Sequence, residues 1–225
     1  MAIESSETKL FLNLEPAKQE RILNAAIHEF AEKGYDSASM NVVVKQAGIS
    51  KGSLFKYFNN KTGLFTFVYR MALAQVKNYL RTVRDSTLDD PFFIRLEKIM
   101  QAGIGFIDRH PGLAKIYYRI IYTGDAPYKK EILKDIHIES QKFIESLILQ
   151  AIERGELRKD LDPAIGAFML ECVLDRFIQA HHLDFIDPSL HLCGCPPDES
   201  DRWIRHVIDM FKRGLAAPLS TDSTA

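Results

Sequence analysis

Between Ser37 and Arg84 the sequence holds no aspartate or glutamate, yet it carries Lys45, Lys51, Lys56, Lys61, Arg70, Lys77, Arg81 and Arg84. Taking these eight from the chain's 29 basic residues leaves 21 against 30 acidic ones, so a formal net charge of −1 hides a basic segment on an acidic body. Such asymmetry fits a polyanionic partner at one end of the protein, although charge by itself describes a solvated basic face equally well. A second group, His181, His182, His191, Cys193 and Cys195, offers imidazole and thiolate ligands of the kind that hold zinc. It lacks a second paired motif, and Pro196-Pro197 mark a loose loop, so these side chains read as unliganded. There is no Ser-His-Asp order, no glycine-rich phosphate loop and no HExxH stretch, so neither enzyme chemistry nor a cofactor or metal is expected.

The elements that would position the basic residues are helices. Pro16 to Lys33 carries Ile22, Leu23, Ala26, Ile27 and Phe30 at helical spacing, with Pro16 at its start and Gly34 just past its end. Ser39 can cap a short helix over Met40 to Ala47, with Met40, Val43, Val44 and Ala47 facing inward. Gly48 breaks the pattern, Ile49 is an apolar plug, and Ser50 can cap a third helix running to about Phe58. Longer amphipathic helices follow over Lys61 to Arg84, Phe92 to His110, Gly112 to Tyr122, Pro127 to Arg154, Pro163 to His182 and Glu199 to Leu215. No alternating strand pattern or internal repeat is visible, so the expected fold is all-α. The expected organisation is a flexible segment over 1–15, a three-helix unit over 16–60, a larger helical bundle over 61–215 and a disordered tail over 216–225.

Hydrophobic residues at 46% and charged residues at 26% are the proportions of a soluble globular chain. Three cysteines are too few for a disulfide framework. Met1 to Asn13 lacks the basic and apolar regions of a secretion signal, and no apolar run approaches the roughly 20 residues that span a bilayer. A cytoplasmic protein without membrane contact is expected.

The second and third helices, joined at Gly48, have the proportions of a helix-turn-helix, whose second helix enters the major groove of DNA. Ile49 and Leu54 would anchor it, leaving Lys51, Gly52, Ser53, Phe55, Lys56 and Tyr57 as a basic, partly aromatic outer surface. Gly52 forms helix poorly but allows a backbone to approach closely. Lys61 opens the next helix, where a cation is disfavoured by the macrodipole unless an anion such as phosphate meets it.

Gly34-Tyr35, Ser39, the run Gln46-Ala47-Gly48-Ile49-Ser50-Lys51-Gly52-Ser53-Leu54-Phe55-Lys56-Tyr57-Phe58, and then Lys61 and Leu64 resemble the signature of the tetracycline-repressor-like (TetR) family of bacterial regulators. The close match covers about Gln19 to Phe65; beyond it the likeness is one of helix number, length and order. The resemblance implies a homodimer of about nine helices per chain, binding a palindromic operator in double-stranded DNA and responding to a small-molecule effector. Carried over by position, Ser39, Lys51, Gly52, Ser53, Lys56, Tyr57 and Lys61 would contact DNA. Phe55 stands where the family commonly has Tyr, so a phosphate hydrogen bond is in doubt there, and Val42-Val43-Val44 replace the commoner polar-Ile-Ala sequence.

Phe67, Met71, Met100, Phe106, Tyr117, Tyr118, Tyr122, Phe143 and Phe168 give the middle helices more aromatic and methionine surface than a tight bundle requires. With the family's cavity in mind they are expected to line a site for a mostly apolar or aromatic effector, against the alternative of ordinary core packing. The helix from Pro163 is apolar on two faces, and the family pairs its last two helices across a twofold axis, so Leu170, Leu174, Phe177, Trp203, Val207 and Phe211 are expected at the dimer interface. The rival reading is a helical interaction or ligand-binding module without DNA binding, against which the acid-free basic stretch argues.

Overall fold

A computed structural model describes residues 6–123 and 126–215, which form helices and no strand. The elements are α1 (Ser6–Leu12), α2 (Pro16–Ser37), α3 (Met40–Ala47), α4 (Lys51–Phe58), α5 (Lys61–Ser86), α6 (Phe92–Arg109), α7 (Pro111–Thr123), α8 (Lys129–Glu153), α9 (Pro163–Ala180) and α10 (Pro197–Leu215). The chain divides into two compact units, with breaks after Asn78, Phe106 and Lys134. The first unit takes α1 to α4, the first part of α5, the last turn of α6, α7 and the start of α8; the second takes the rest. The expected disordered tail at 216–225 lies outside the described residues.

In the first unit α2 is the central strut. Pro16 sits at its first turn, where a missing N–H has no consequence, and Ile22, Ala25, Ala26, Glu29 and Phe30 make one buried stripe at helical spacing. Gly34 breaks the helical path at φ 71°, ψ 177°, a region open essentially to glycine alone, before Tyr35 to Ser37 complete the element. The carbonyls orphaned at this bend are taken by α7: Arg119 donates to Ala31 O at 2.8 Å through Nε and to Glu32 O at 2.9 Å through Nη2. Lys115 pairs with the Glu32 carboxylate at 2.7 Å, a hydrogen bond that holds this carboxyl below its usual range. A Cβ on Gly112 would meet Ile27 Cγ2 at 2.8 Å, so α7 and α2 approach through a glycine. Gly34→Ala is expected to destabilise the first unit by about 1–3 kcal/mol through its backbone conformation alone. An unchanged thermal transition would mean that the bend can relax.

The expected flexible segment is in part a helix. Phe11 of α1 is 1% exposed, with its ring 5.0 Å from Phe58, 5.2 Å from Phe67 and 6.3 Å from Tyr57. Gln19 Nε2 donates to Leu12 O and Leu14 O at 3.0 and 2.8 Å, closing the C-terminal end of α1 against α2.

The second unit packs α6, α8, α9 and α10 around one core, with Leu96 and Met100 from α6, Leu147 and Ile148 from α8, Leu170 from α9 and Ile204 from α10 at its centre. Asp162 caps α9 by accepting from Ala164 N and Ile165 N at 2.9 and 3.1 Å, with Pro163 preset at the first position. The Glu156 carboxylate accepts from Phe92 N at the head of α6. Gly103 lets α6 come close to α9, since a Cβ there would stand 2.8 Å from Ile178 Cδ1. Among the described residues no helix is long and apolar enough to cross a membrane.

Candidate nucleic-acid interface

The helix-turn-helix begins where a buried carboxylate starts a helix. Glu29 on α2 is 5% exposed, and its Oε1 accepts the Ser39 N–H at 2.8 Å at the head of α3. Ser39 therefore holds the N-cap position without using its hydroxyl as the cap. Met40, Val43 and Ala47 seat α3 on α2, and Gly48 ends it at φ 66°, ψ 39°. The N–H groups of Gly48 and Ile49 both return to Val44 O, the C-terminal closure that a left-handed glycine permits. Ser50 then caps α4, its Oγ accepting from Ser53 N at 3.0 Å and lying 2.9 Å from Ser53 Oγ.

Leu54, Tyr57 and Phe58 turn α4 inward, while Lys51, Gly52 and Lys56 are exposed and Ser53 and Phe55 half-buried. Lys51 Nζ lies 5.8 Å from the Phe55 ring centre, so that ring carries the lysine rather than facing outward alone. Tyr57 departs from the sequence expectation. At 9% exposure its ring packs edge-on against Phe11 and Phe58, because α1 covers the side of α4 that the sequence left open.

A tight joint links α4 to α5. Asn59 takes φ 66°, ψ −53°, and Asn60 N donates to Phe58 O at 2.7 Å, a γ-turn of the rarer positive-φ form. Asn60 Oδ1 accepts from Gly63 N at 2.8 Å, and a Cβ on Gly63 would stand 1.9 Å from Phe58 O. Lys61 also differs from expectation: its ammonium donates to Asp36 O at 2.8 Å and lies 4.9 Å from the Tyr35 ring centre. Tyr35 Oη and Thr62 Oγ1, 2.6 Å apart, complete the clasp between the end of α2 and the start of α5. The cation that the sequence assigned to phosphate is thus met by a carbonyl and a ring of its own chain.

The residues expected to line an effector cavity fall in different surroundings. Phe67 stacks on Phe11 and Phe58 and belongs to the packing under α4, and Phe168 is 53% exposed, so both leave the set as the structure places them. Met100 is sealed in the second unit's core, Phe106 is buried beside Tyr79, and Phe143 packs half-buried against that core. In the first unit Met71 is half-buried, the rings of Tyr117 and Tyr118 are 5.6 Å apart, and Tyr122 is 45% exposed. A cleft of about 250 Å³ in the first unit is lined by none of these nine residues.

The expected interface residues on α9 need correction. Leu170, Leu174 and Phe177 are 0%, 7% and 7% exposed within the single chain, where they fill its own core. The open apolar face of α9 is instead Ile165, Phe168 and Met169, each more than half exposed. Trp203, Val207 and Phe211 on α10 pack partly buried against the core.

Of the metal-ligating candidates, Cys193 is exposed and burial pushes the half-buried Cys195 thiol up. His181 has Phe177 O at 2.9 Å from Nδ1 and Ser200 Oγ at 2.8 Å from Nε2. Among the described residues no three His, Cys, Asp or Glu side chains converge as a metal would require.

A basic helix presented this way, backed by a second helix across a left-handed glycine, has the form that enters a DNA major groove, and the fold and the site together define a helix-turn-helix regulator. Residues 22–66 match the model of the bacterial regulatory proteins of the tetR family, and residues 91–216 match the tetracyclin repressor-like C-terminal domain. The chain belongs to the TetR family of transcriptional regulators.

Among its relatives, the uncharacterized HTH-type transcriptional regulator YhgD of Bacillus subtilis is 26% identical over 153 residues, 68% of this chain and 78% of YhgD. A TetR family transcriptional regulator of Chloroflexus aurantiacus J-10-FL superimposes with a TM-score of 0.68 at 28% identity, over 94% of this chain and 99% of that one. FadR of Bacillus subtilis, solved in complex with stearoyl-CoA, shares the fold with a TM-score of 0.68 at 15% identity, over 87% of this chain and 98% of its own.

Proposed function

We propose that this chain is a cytoplasmic, ligand-responsive repressor that binds a palindromic operator as a homodimer and is released by a mostly apolar small molecule. The observation that carries the reading is the exposed Lys51-Gly52-Lys56 row of α4, held by an apolar underside and set in a stretch of sequence without acids. Ser39, Ser53 and Phe55 are proposed to join it at the duplex, and Lys61 to do so by exchanging the Asp36 carbonyl for a phosphate. Two such helices on a dimer fit half-sites only when their separation matches the DNA repeat, about 34–36 Å or a multiple of it. Effector binding then acts by changing that separation. α5 supplies residues to both compact units and begins at the γ-turn that ends α4, which makes it the proposed lever.

FadR's binding of stearoyl-CoA is consistent with an apolar effector class. Met71, Tyr117, Tyr118 and Tyr122, all within the first unit, are proposed as effector contacts.

The test is DNA affinity against salt, measured on fragments from upstream of the protein's own gene. Lys51→Ala is expected to weaken binding on every sequence and to reduce the slope of log affinity against log salt by about one unit. Wild-type protein without salt-sensitive binding to any such fragment would remove the regulator reading, and an unchanged slope would remove Lys51 from the phosphate contacts.

A further inference from the structure

We propose that the first unit has a small-molecule site of its own, a cleft between α2, α5 and α7 that takes a small carboxylic acid with an aromatic or branched apolar body. Every residue lining this cleft of about 250 Å³ belongs to that one unit, so the site is complete within it. Its volume is below the roughly 300–1,000 Å³ of drug-sized sites, which limits the occupant to a small acid.

The floor is apolar and fixed. Phe30, Phe65, Ile116 and Ile120 are between 1% and 5% exposed, with Phe65 edge-on to Phe30 at 5.1 Å and to Tyr35 at 5.2 Å. Buried rings and branched side chains set in this way receive a flat or branched hydrocarbon body. The opening is polar, and among the described residues that line it Lys33 and Arg119 stand against one carboxylate, that of Asp36, a balance that favours an anion. Arg119 is immobilised by its hydrogen bonds to Ala31 O and Glu32 O, so its charge is preorganised. Lys33 is exposed and makes no hydrogen bond or ion pair among the described residues, leaving its ammonium available to a ligand. Gly34, bent at φ 71°, forms part of the wall, so the notch exists because the backbone turns there.

The cleft lies at the end of α2 whose Asp36 carbonyl holds Lys61. An occupant would brace that clasp, and through the first turn of α5 it would bear on α4. In this consequence alone the inference rests on the DNA-binding reading; the site itself does not.

The experiment uses the full chain with ¹³C-labelled isoleucine methyl groups, titrated with 3-phenylpropionate, the neutral 3-phenylpropanamide and the cationic 3-phenylpropylamine. The acid is expected to shift the Ile116 and Ile120 methyl resonances saturably, and to bind about tenfold more tightly than the amide, the scale of one charge-assisted contact. Lys33→Glu, at an exposed position, is expected to reverse the order and favour the amine. No saturable shift at Ile116 and Ile120 with the acid, equal affinities for the three compounds, or an order unaltered by Lys33→Glu would each overturn the proposal. Operator titrations on the same samples separate the two readings. Acid binding without operator binding removes the regulator reading and leaves the cleft, whereas operator binding without acid binding removes the cleft alone.

Discussion

Gly63→Ala is expected to abolish sequence-specific DNA binding and to destabilise the first unit by about 3 kcal/mol, the upper part of the range for a single overpacked methyl group. The new Cβ would stand 1.9 Å from the Phe58 carbonyl oxygen and 3.1 Å from its carbon, and both are backbone atoms with no rotamer to escape into. That carbonyl is the acceptor of the γ-turn, so relieving the overlap means rotating the peptide that ends the reading helix. Gly52→Ala is the control: its Cβ would meet only Ser50 Oγ, at 3.9 Å, and alanine at a helical position stabilises by about 0.5–1 kcal/mol. That variant is expected to melt higher while binding the operator more weakly, because the added methyl occupies the face proposed to meet DNA. Thermal unfolding by circular dichroism and operator titration on both proteins decide the matter. A Gly63→Ala protein that melts and binds as wild type would mean that the α4–α5 joint is not as tight as described.

The second large effect is expected at Phe168. Its side chain is 53% exposed beside Ile165 and Met169, so an aspartate there should leave the second unit's melting temperature nearly unchanged while removing self-association. Losing the partner makes each half-site an independent encounter, and operator affinity should fall by ~100-fold or more. Leu174→Arg is expected to behave differently, because Leu174 is 7% exposed and the guanidinium would enter the chain's own core: the product should be unfolded or insoluble rather than monomeric. Sedimentation equilibrium distinguishes these outcomes. A Phe168→Asp protein that remains a dimer would move the interface to another face.

The short helices α3 and α4 were legible to the residue, because each is bracketed by local signals that nothing distant overrides: Ser39 and Ser50 at their starts, Gly48 between them. The limits of α5 to α10 fall within a few residues of the apolar periodicity that predicted them. What escaped depends on contacts distant in sequence. α1 is only seven residues long and has no stripe of its own; it is held because Phe11 finds three rings from α4 and α5. Tyr57 then lost its outward position, since a period of 3.6 tells which face a residue is on but not what covers that face. The same limit governs α9, where two apolar faces were visible but the choice of the one facing the core was not. Glu29 had left a sign, a charged residue at the fourth position of an otherwise apolar stripe; its meaning required sight of the Ser39 N–H.

The helix formed by Ser6–Leu12 matters to anyone who exchanges heads between regulators. The sequence invites a cut at Pro16, where the first strong amphipathic pattern begins. A chimera joined there would omit Phe11 and leave a space the size of a phenyl ring against Tyr57 and Phe58, directly beneath the helix meant to read the new promoter. The transferable module therefore includes Ser6–Leu12, and a junction meant to carry the DNA-binding head intact is placed before this helix rather than at Pro16.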